Sequence, residues 1–289
     1  MERITGTGVW AASLRYGDAA SSAAAAAELE ELGYRAAWIP DVGGPVLDSV
    51  ENLLTATKTV TIATGILNLW MHSPEETAAE HARLTAEHGP RFMVGIGVSH
   101  APLIDHAEAG RYRTPLAKTA EFLDGLDAAP IPLRAQDRML AALGPKMVQL
   151  AAERTAGTHP YLITPEHTAQ ARAALGPTAT IAAEQAVILD TDPESARTVA
   201  RLNLAPYMGL PNYTNNWKRI GFTDDDLADG GSDRLVDALV AWGDDAAIRE
   251  RVQAHRDAGA DHVCIQVLTT ERMNHALPQW RALAAALVH

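Results

Sequence analysis

Residues 91–100 read RFMVGIGVSH, an apolar run with glycine at 95 and 97 that ends on Ser99 and His100. Strand interiors avoid glycine, because it packs nothing and costs backbone entropy. Two glycines inside one such run mark places where something comes close to the backbone. The polar pair at the end marks a strand that leaves the core. Working outward, comparable runs recur: TGTGVWA (5–11), RAAWIPD (35–41) and VTIATGILNLW (60–70) before it, then RMLAALG (138–144), THPYLIT (158–164), TIAAEQAVILD (180–190) and DHVCIQVLT (261–269) after it.

Helical patterns separate these runs. Asp18 is placed to cap an alanine-rich helix that Gly33 closes, and Ser73-Pro74 with Glu76 reads as an N-cap, a first-turn proline and a capping box. Eight mostly β-branched strands, each followed by helix, indicate an enclosed parallel sheet. The count favours an α/β (β/α)8 TIM barrel over an open doubly wound sheet, and no long linker divides residues 1–289, which predicts one domain. One segment breaks the rhythm. Residues 191–260 are too many for a single helix and contain LNLAPYMGLPNYTNNWKRIGF (202–222), which reads as an insertion forming a lid, a substrate wall or an oligomer contact.

Composition narrows the function classes. A formal charge of −12 with no basic run argues against nucleic acid. No stretch of 18 apolar residues predicts a membrane span. The N-terminus lacks an apolar signal segment, and a lone cysteine, Cys264, can form neither an intrachain disulfide nor a zinc ribbon. The expectation is a soluble cytoplasmic protein.

In a parallel barrel the site lies at the carboxyl ends of the strands. Those exits carry Asp41; Asn68, Trp70 and His72; Ser99 and His100; Gly144-Pro145-Lys146; Thr164; and Glu184-Gln185, the last pair seemingly a turn short of the mouth. Gly144-Pro145-Lys146 would open a helix whose free amides and dipole suit a phosphate, although an ordinary turn reads the same way. Asp41 can hold a ligand or cap its own turn. His81 and His88, beside Glu80 and Glu87, are about 10.5 Å apart along a helix and cannot share one ion, so they read as solvated, and no metal site is expected. Neither a G-x-S-x-G nor an H-E-x-x-H motif nor a P-loop occurs.

GPRFMVGIGVSH (89–100) resembles the fourth-strand signature of the bacterial luciferase-like monooxygenase superfamily. VTIATGILNL (60–69) is similar to its third strand, ALGPKMVQLAAERTAGTHPYLIT (142–164) to its fifth-to-sixth-strand region, and YTNNWKRIGF (213–222) with RVQAHRDAGADHVCIQVL (251–268) to its C-terminal part. The likeness covers nearly the whole chain and is nearest to the branch of oxidoreductases that use the deazaflavin coenzyme F420, common in actinobacteria, whose sister enzymes use FMN. The resemblance implies a non-proline cis peptide at Gly65-Ile66 against the deazaflavin ring. It also implies Asp41 and Asn68 near the ring, Gly97, Val98 and Ser99 along the ring or ribityl chain, and Leu143, Gly144, Pro145 and Lys146 around the phosphate.

Val42 and Ser99-His100 stand where some members carry a histidine and a glutamate, so sugar-phosphate dehydrogenation is not implied. His100 becomes the candidate proton donor or acceptor. The expected activity is hydride transfer between F420 and a small organic substrate. An FMN-dependent monooxygenase and a non-catalytic flavin or deazaflavin carrier are the alternatives, and a homodimer is the expected assembly. Trp10, Trp70 and Trp217 suggest an aromatic-lined pocket.

Overall fold

All strand ladders run parallel and close on themselves in the computed structural model, which describes residues 3–271 and 273–288. The strands are β1 (Gly6–Trp10), β2 (Ala36–Ile39), β3 (Thr61–Thr64), β4 (Leu67–Asn68), β5 (Phe92–Gly97), β6 (Arg138–Leu140), β7 (Gly157–Thr158), β8 (Thr180–Ile188), β9 (Val240–Trp242) and β10 (His262–Val267). The order around the ring is β10–β1–β2–β3–β5–β6–β7–β8, with β4 also on β5 and β9 also on β8. β10 bonds both β1 and β8, with Thr7 opposite Val263 and Glu184 opposite Cys264, and this closes a (β/α)8 barrel.

Three of the strands expected from sequence take a different form. The third divides into β3 and β4. Ile62 pairs with Phe92 and Leu67 with Ile96, so five residue steps on this strand oppose four on β5. The extra residue is a bulge, and its apex is the cis peptide Gly65-Ile66. The fifth and sixth strands shorten to β6 and β7, because the chain after each turns away to build the mouth. The 191–260 segment is regular rather than loop-like: helices 193–204, 211–219, 233–239 and 245–257 surround β9, which pairs with the far end of β8 where β7 no longer runs.

The two glycines of the opening stretch now have causes. A Cβ on Gly95 would stand 2.0 Å from the carbonyl oxygen of Thr64, and Thr64 Oγ1 donates to the carbonyl of Gly95. A Cβ on Gly97 would meet Ile66 Cγ1 at 2.6 Å. Gly97 therefore makes room for the Ile66 side chain at the bulge.

The caps at Asp18 and Ser73 form as expected, accepting from Ser21 N and Glu76 N. His81 is a correction: it is buried, with Nε2 bonded to the carbonyl of Phe92, because its face of helix 74–88 lies on β5. Glu80 and Glu87 remain outside and share Arg83 with Glu51.

Inside the barrel, Trp10, Trp38, Met93, Met139 and Cys264 form the plug. His159 stacks on Trp38 at 4.0 Å, and Trp38 Nε1 donates to His262 Nε2. Burial holds both histidines neutral by lowering them to about 4. A second core joins Tyr213 and Trp217 of helix 211–219 to β8 and β9. No described helix is long and apolar enough to cross a membrane.

Candidate active site

Asp41 follows β2 and is buried beside the bulge. Its Oδ2 accepts from Asn68 N at 3.0 Å and from His72 Nε2 at 2.8 Å, while Oδ1 accepts from Gly43 N at 3.2 Å. Burial pushes this carboxyl up, but the bonds from His72 and the two amides outweigh it and hold it below the usual carboxylate range. Asp41 is thus a fixed anion tying the exit of β2 to β4. Asn68 Oδ1 accepts from Trp70 N, Trp70 Nε1 donates to the carbonyl of Val98, and Trp10 Nε1 donates to the carbonyl of Gly65. Ser99 sits at φ 53°, a left-handed turn that swings the chain into helix 101–107.

His100 opens that helix. Its Nδ1 lies 3.4 Å from Asn212 Nδ2, and its ring packs 5.4 Å from that of Tyr213. Burial lowers its pKa, so it is neutral near pH 7.

The opposite wall begins at Leu143. Gly144 precedes helix 145–154, Pro145 occupies its first turn, and the side chain of Lys146 is exposed. The carbonyl of Leu143 accepts from His167 Nε2 at 3.2 Å and from Arg219 Nη2 at 3.4 Å. Arg219 also donates to Asn216 Oδ1. His167 Nδ1 and Asn216 Nδ2 are buried with no hydrogen-bond partner among the described residues. Helix 211–219 thus brings a guanidinium and an amide to a helix N-terminus, with Arg219 reaching Leu143 across 76 residues of sequence. Sequence reading had no means to place them there; only the Asn- and Tyr-rich composition of 202–222 hinted at it.

A cavity lies at the ends of β1, β8 and β10, lined by Trp10, Tyr161, Ala186, Tyr207, Gln266 and Trp280 among others. Tyr161 OH donates to Gln266 Oε1 at 2.8 Å, and the rings of Tyr161, Tyr207 and Tyr213 pack within 5.1–6.3 Å of one another. Of the three tryptophans singled out, Trp10 lines this space. Trp217 is buried beneath it, with Nε1 donating to the carbonyl of Leu162, and Trp70 packs on Tyr112.

The family model for luciferase-like monooxygenases matches residues 4–262, all but a short stretch at each end. The chain belongs to the luciferase-like monooxygenase family. A Mycobacterium tuberculosis protein named as a coenzyme F420-dependent oxidoreductase is 27% identical, over 76% of this chain and 82% of its own length. An F420-dependent secondary alcohol dehydrogenase, solved with an F420–acetone adduct, superposes with a TM-score of 0.75 at 16% identity, covering 99% of both chains. The F420-dependent tetrahydromethanopterin reductase of Methanopyrus kandleri gives 0.71 at 16% identity, over 98% of each. The oxygenating constituent of 3,6-diketocamphane monooxygenase from Pseudomonas putida, solved with FMN, gives 0.65 at 14% identity, over 97% of this chain and 96% of that one. At such identities the structures share the fold.

Proposed function

We propose that this family member is an F420-dependent oxidoreductase that moves hydride between the deazaflavin and a small organic substrate. The observation that carries the reading is the wall at Leu143. A helix N-terminus there faces Arg219, and the neighbouring His167 and Asn216 each bury a polar atom without a partner. A phosphate-bearing cofactor supplies what the helix amides, the guanidinium and Asn216 Nδ2 lack, since all of these donate to phosphate oxygens, while His167, whose Nε2–H is given to the Leu143 carbonyl, holds that turn in place. The F420-dependent relative supports deazaflavin over FMN.

In this reading Leu143, Gly144, Pro145 and Lys146 hold the phosphate end with Arg219. Asp41, the Gly65-Ile66 bulge, Asn68, Val98 and Ser99 hold the ring and its chain. The bound deazaflavin supplies the two-electron chemistry. The protein orients the substrate in the aromatic cavity, keeps water out with helix 211–219 as a lid, and exchanges a proton through neutral His100. Titration of the purified protein with oxidised F420 and with FMN tests this. F420 is expected to bind at micromolar or lower concentration, with FMN at least tenfold weaker; FMN binding without F420 binding overturns the cofactor assignment.

A further inference from the structure

Glu184 lies inside the barrel, wholly buried. It shares the inward face of β8 with Ala182 below and Ala186 above, and Ala186 lines the cavity. The next inward residue is one pleat repeat away, about 7 Å, so the carboxyl lies just behind the part of the cavity lining formed by Ala186, Leu162 and Tyr161. Oε2 accepts from Leu162 N at 3.0 Å, and Oε1 has no partner among the described residues. Leu162 is held at φ 52°, a left-handed conformation that ordinary residues avoid, and its amide bonds the carboxyl. Gln185, by contrast, faces outward and bonds His255.

The groups facing Glu184 are Tyr161, Tyr213 and Cys264, with His159 beside Cys264 and Tyr207 beside Tyr161. All are neutral at pH 7: burial pushes Tyr161, Tyr213 and Cys264 well up and His159 down to about 4. Among the described residues no cation balances a carboxylate there, and burial, opposed by the Leu162 amide, raises Glu184 to about 8.

We propose that Glu184 is a second proton-exchanging residue of the active cavity, the inner end of a path whose outer end is His100. The proposal rests on the oxidoreductase reading above. A bound deazaflavin in its reduced, anionic form would supply hydride to a substrate carbonyl carbon, the C=O π pair moving to oxygen. That oxygen takes the proton of the Glu184 carboxyl, and the products are an alcohol, oxidised deazaflavin and a carboxylate. The carboxylate regains a proton from water through the tyrosine cluster, on whose outer side His100 packs against Tyr213. Alcohol oxidation runs the same steps backwards.

The test compares wild type, Glu184→Gln and His100→Gln. Three readouts need no turnover or supplement it: F420 binding, the infrared carbonyl stretch of a protonated buried carboxyl, and unfolding stability against pH. The fourth is ketone reduction with reduced F420 against pH, using a panel of small ketones. Glu184→Gln is expected to bind F420 as wild type does, to lose the protonated-carboxyl band present at pH 7, and to reduce ketones about 100-fold more slowly without the limb near pH 8. Wild type binds more protons folded than unfolded between the ordinary glutamate range and about pH 8, so its stability falls there relative to the variant. The variant's advantage therefore grows with pH and levels off above 8. The double variant should be little slower than the slower single one, as for residues acting in one path. A wild type without the band, or a variant with the wild-type pH profile and rate, overturns the proposal. Failure of wild type to bind F420 instead overturns the cofactor reading on which the proposal rests.

Discussion

The two walls of the mouth are built on opposite terms. On the β2–β5 wall, polar groups satisfy one another: Asp41 accepts three bonds, and Asn68, Trp10 and Trp70 bond neighbouring backbone, with Asn68 Nδ2 the one buried atom left over. On the β6–β8 wall, His167 Nδ1, Asn216 Nδ2 and Glu184 Oε1 are all buried without partners. An unpaired buried polar atom costs about 1–3 kcal/mol. The first wall therefore behaves as a prebuilt platform, and the second carries its cost until a ligand completes it. Rigidity and receptivity are separated across one cavity.

Substitutions on the closed wall should be the most damaging to the fold. Gly95→Ala sets a methyl against the Thr64 carbonyl, which cannot retreat without breaking the β3–β5 ladder, and should cost more than about 3 kcal/mol in urea unfolding. Asp41→Ala strands the Asn68 amide and His72 and should cost about 3 kcal/mol. The Asp41 carboxyl is depressed in the folded state, so its contribution is present above the unfolded aspartate pKa and lost as pH falls through the folded value. Acid titration of Asp41→Asn should consequently show a flatter loss of stability below about pH 4 than wild type.

On the open wall the effects should move from stability to binding. Arg219→Ala, at an exposed side chain, should shift stability by less than about 0.5 kcal/mol while weakening F420 about tenfold or more. Asn216→Leu removes an unpartnered buried Nδ2 at the cost of one bond to the exposed Arg219; calorimetry should find its Tm nearly unchanged, with F420 affinity again reduced. If either variant unfolds as readily as Asp41→Ala, the two walls do not differ in kind.

The barrel was readable because parallel strands buried on both faces write near-continuous apolar runs, and eight of them survive in place. The cis bond fell where the resemblance put it, at Gly65-Ile66. What stayed hidden depends on distance in sequence. Gly97 read as space for a ring because nothing local shows that Ile66, across the sheet, fills that space. β9 was missed because three residues, Val240–Trp242, carry no periodicity. His81 looked solvated because its neighbours are charged, although its own face of the helix turns inward. Arg219 and Glu184 needed the closed barrel, which alone brings helix 211–219 to Leu143 and turns Glu184 rather than Gln185 to the barrel interior.

The most direct test of the division between the walls is to measure unfolding free energy and F420 dissociation constant on the same preparations of wild type, Asp41→Ala and Arg219→Ala. The account predicts that Arg219→Ala keeps wild-type stability and loses about tenfold or more in affinity, while Asp41→Ala loses about 3 kcal/mol of stability. An Arg219→Ala protein that binds F420 as tightly as wild type would contradict it.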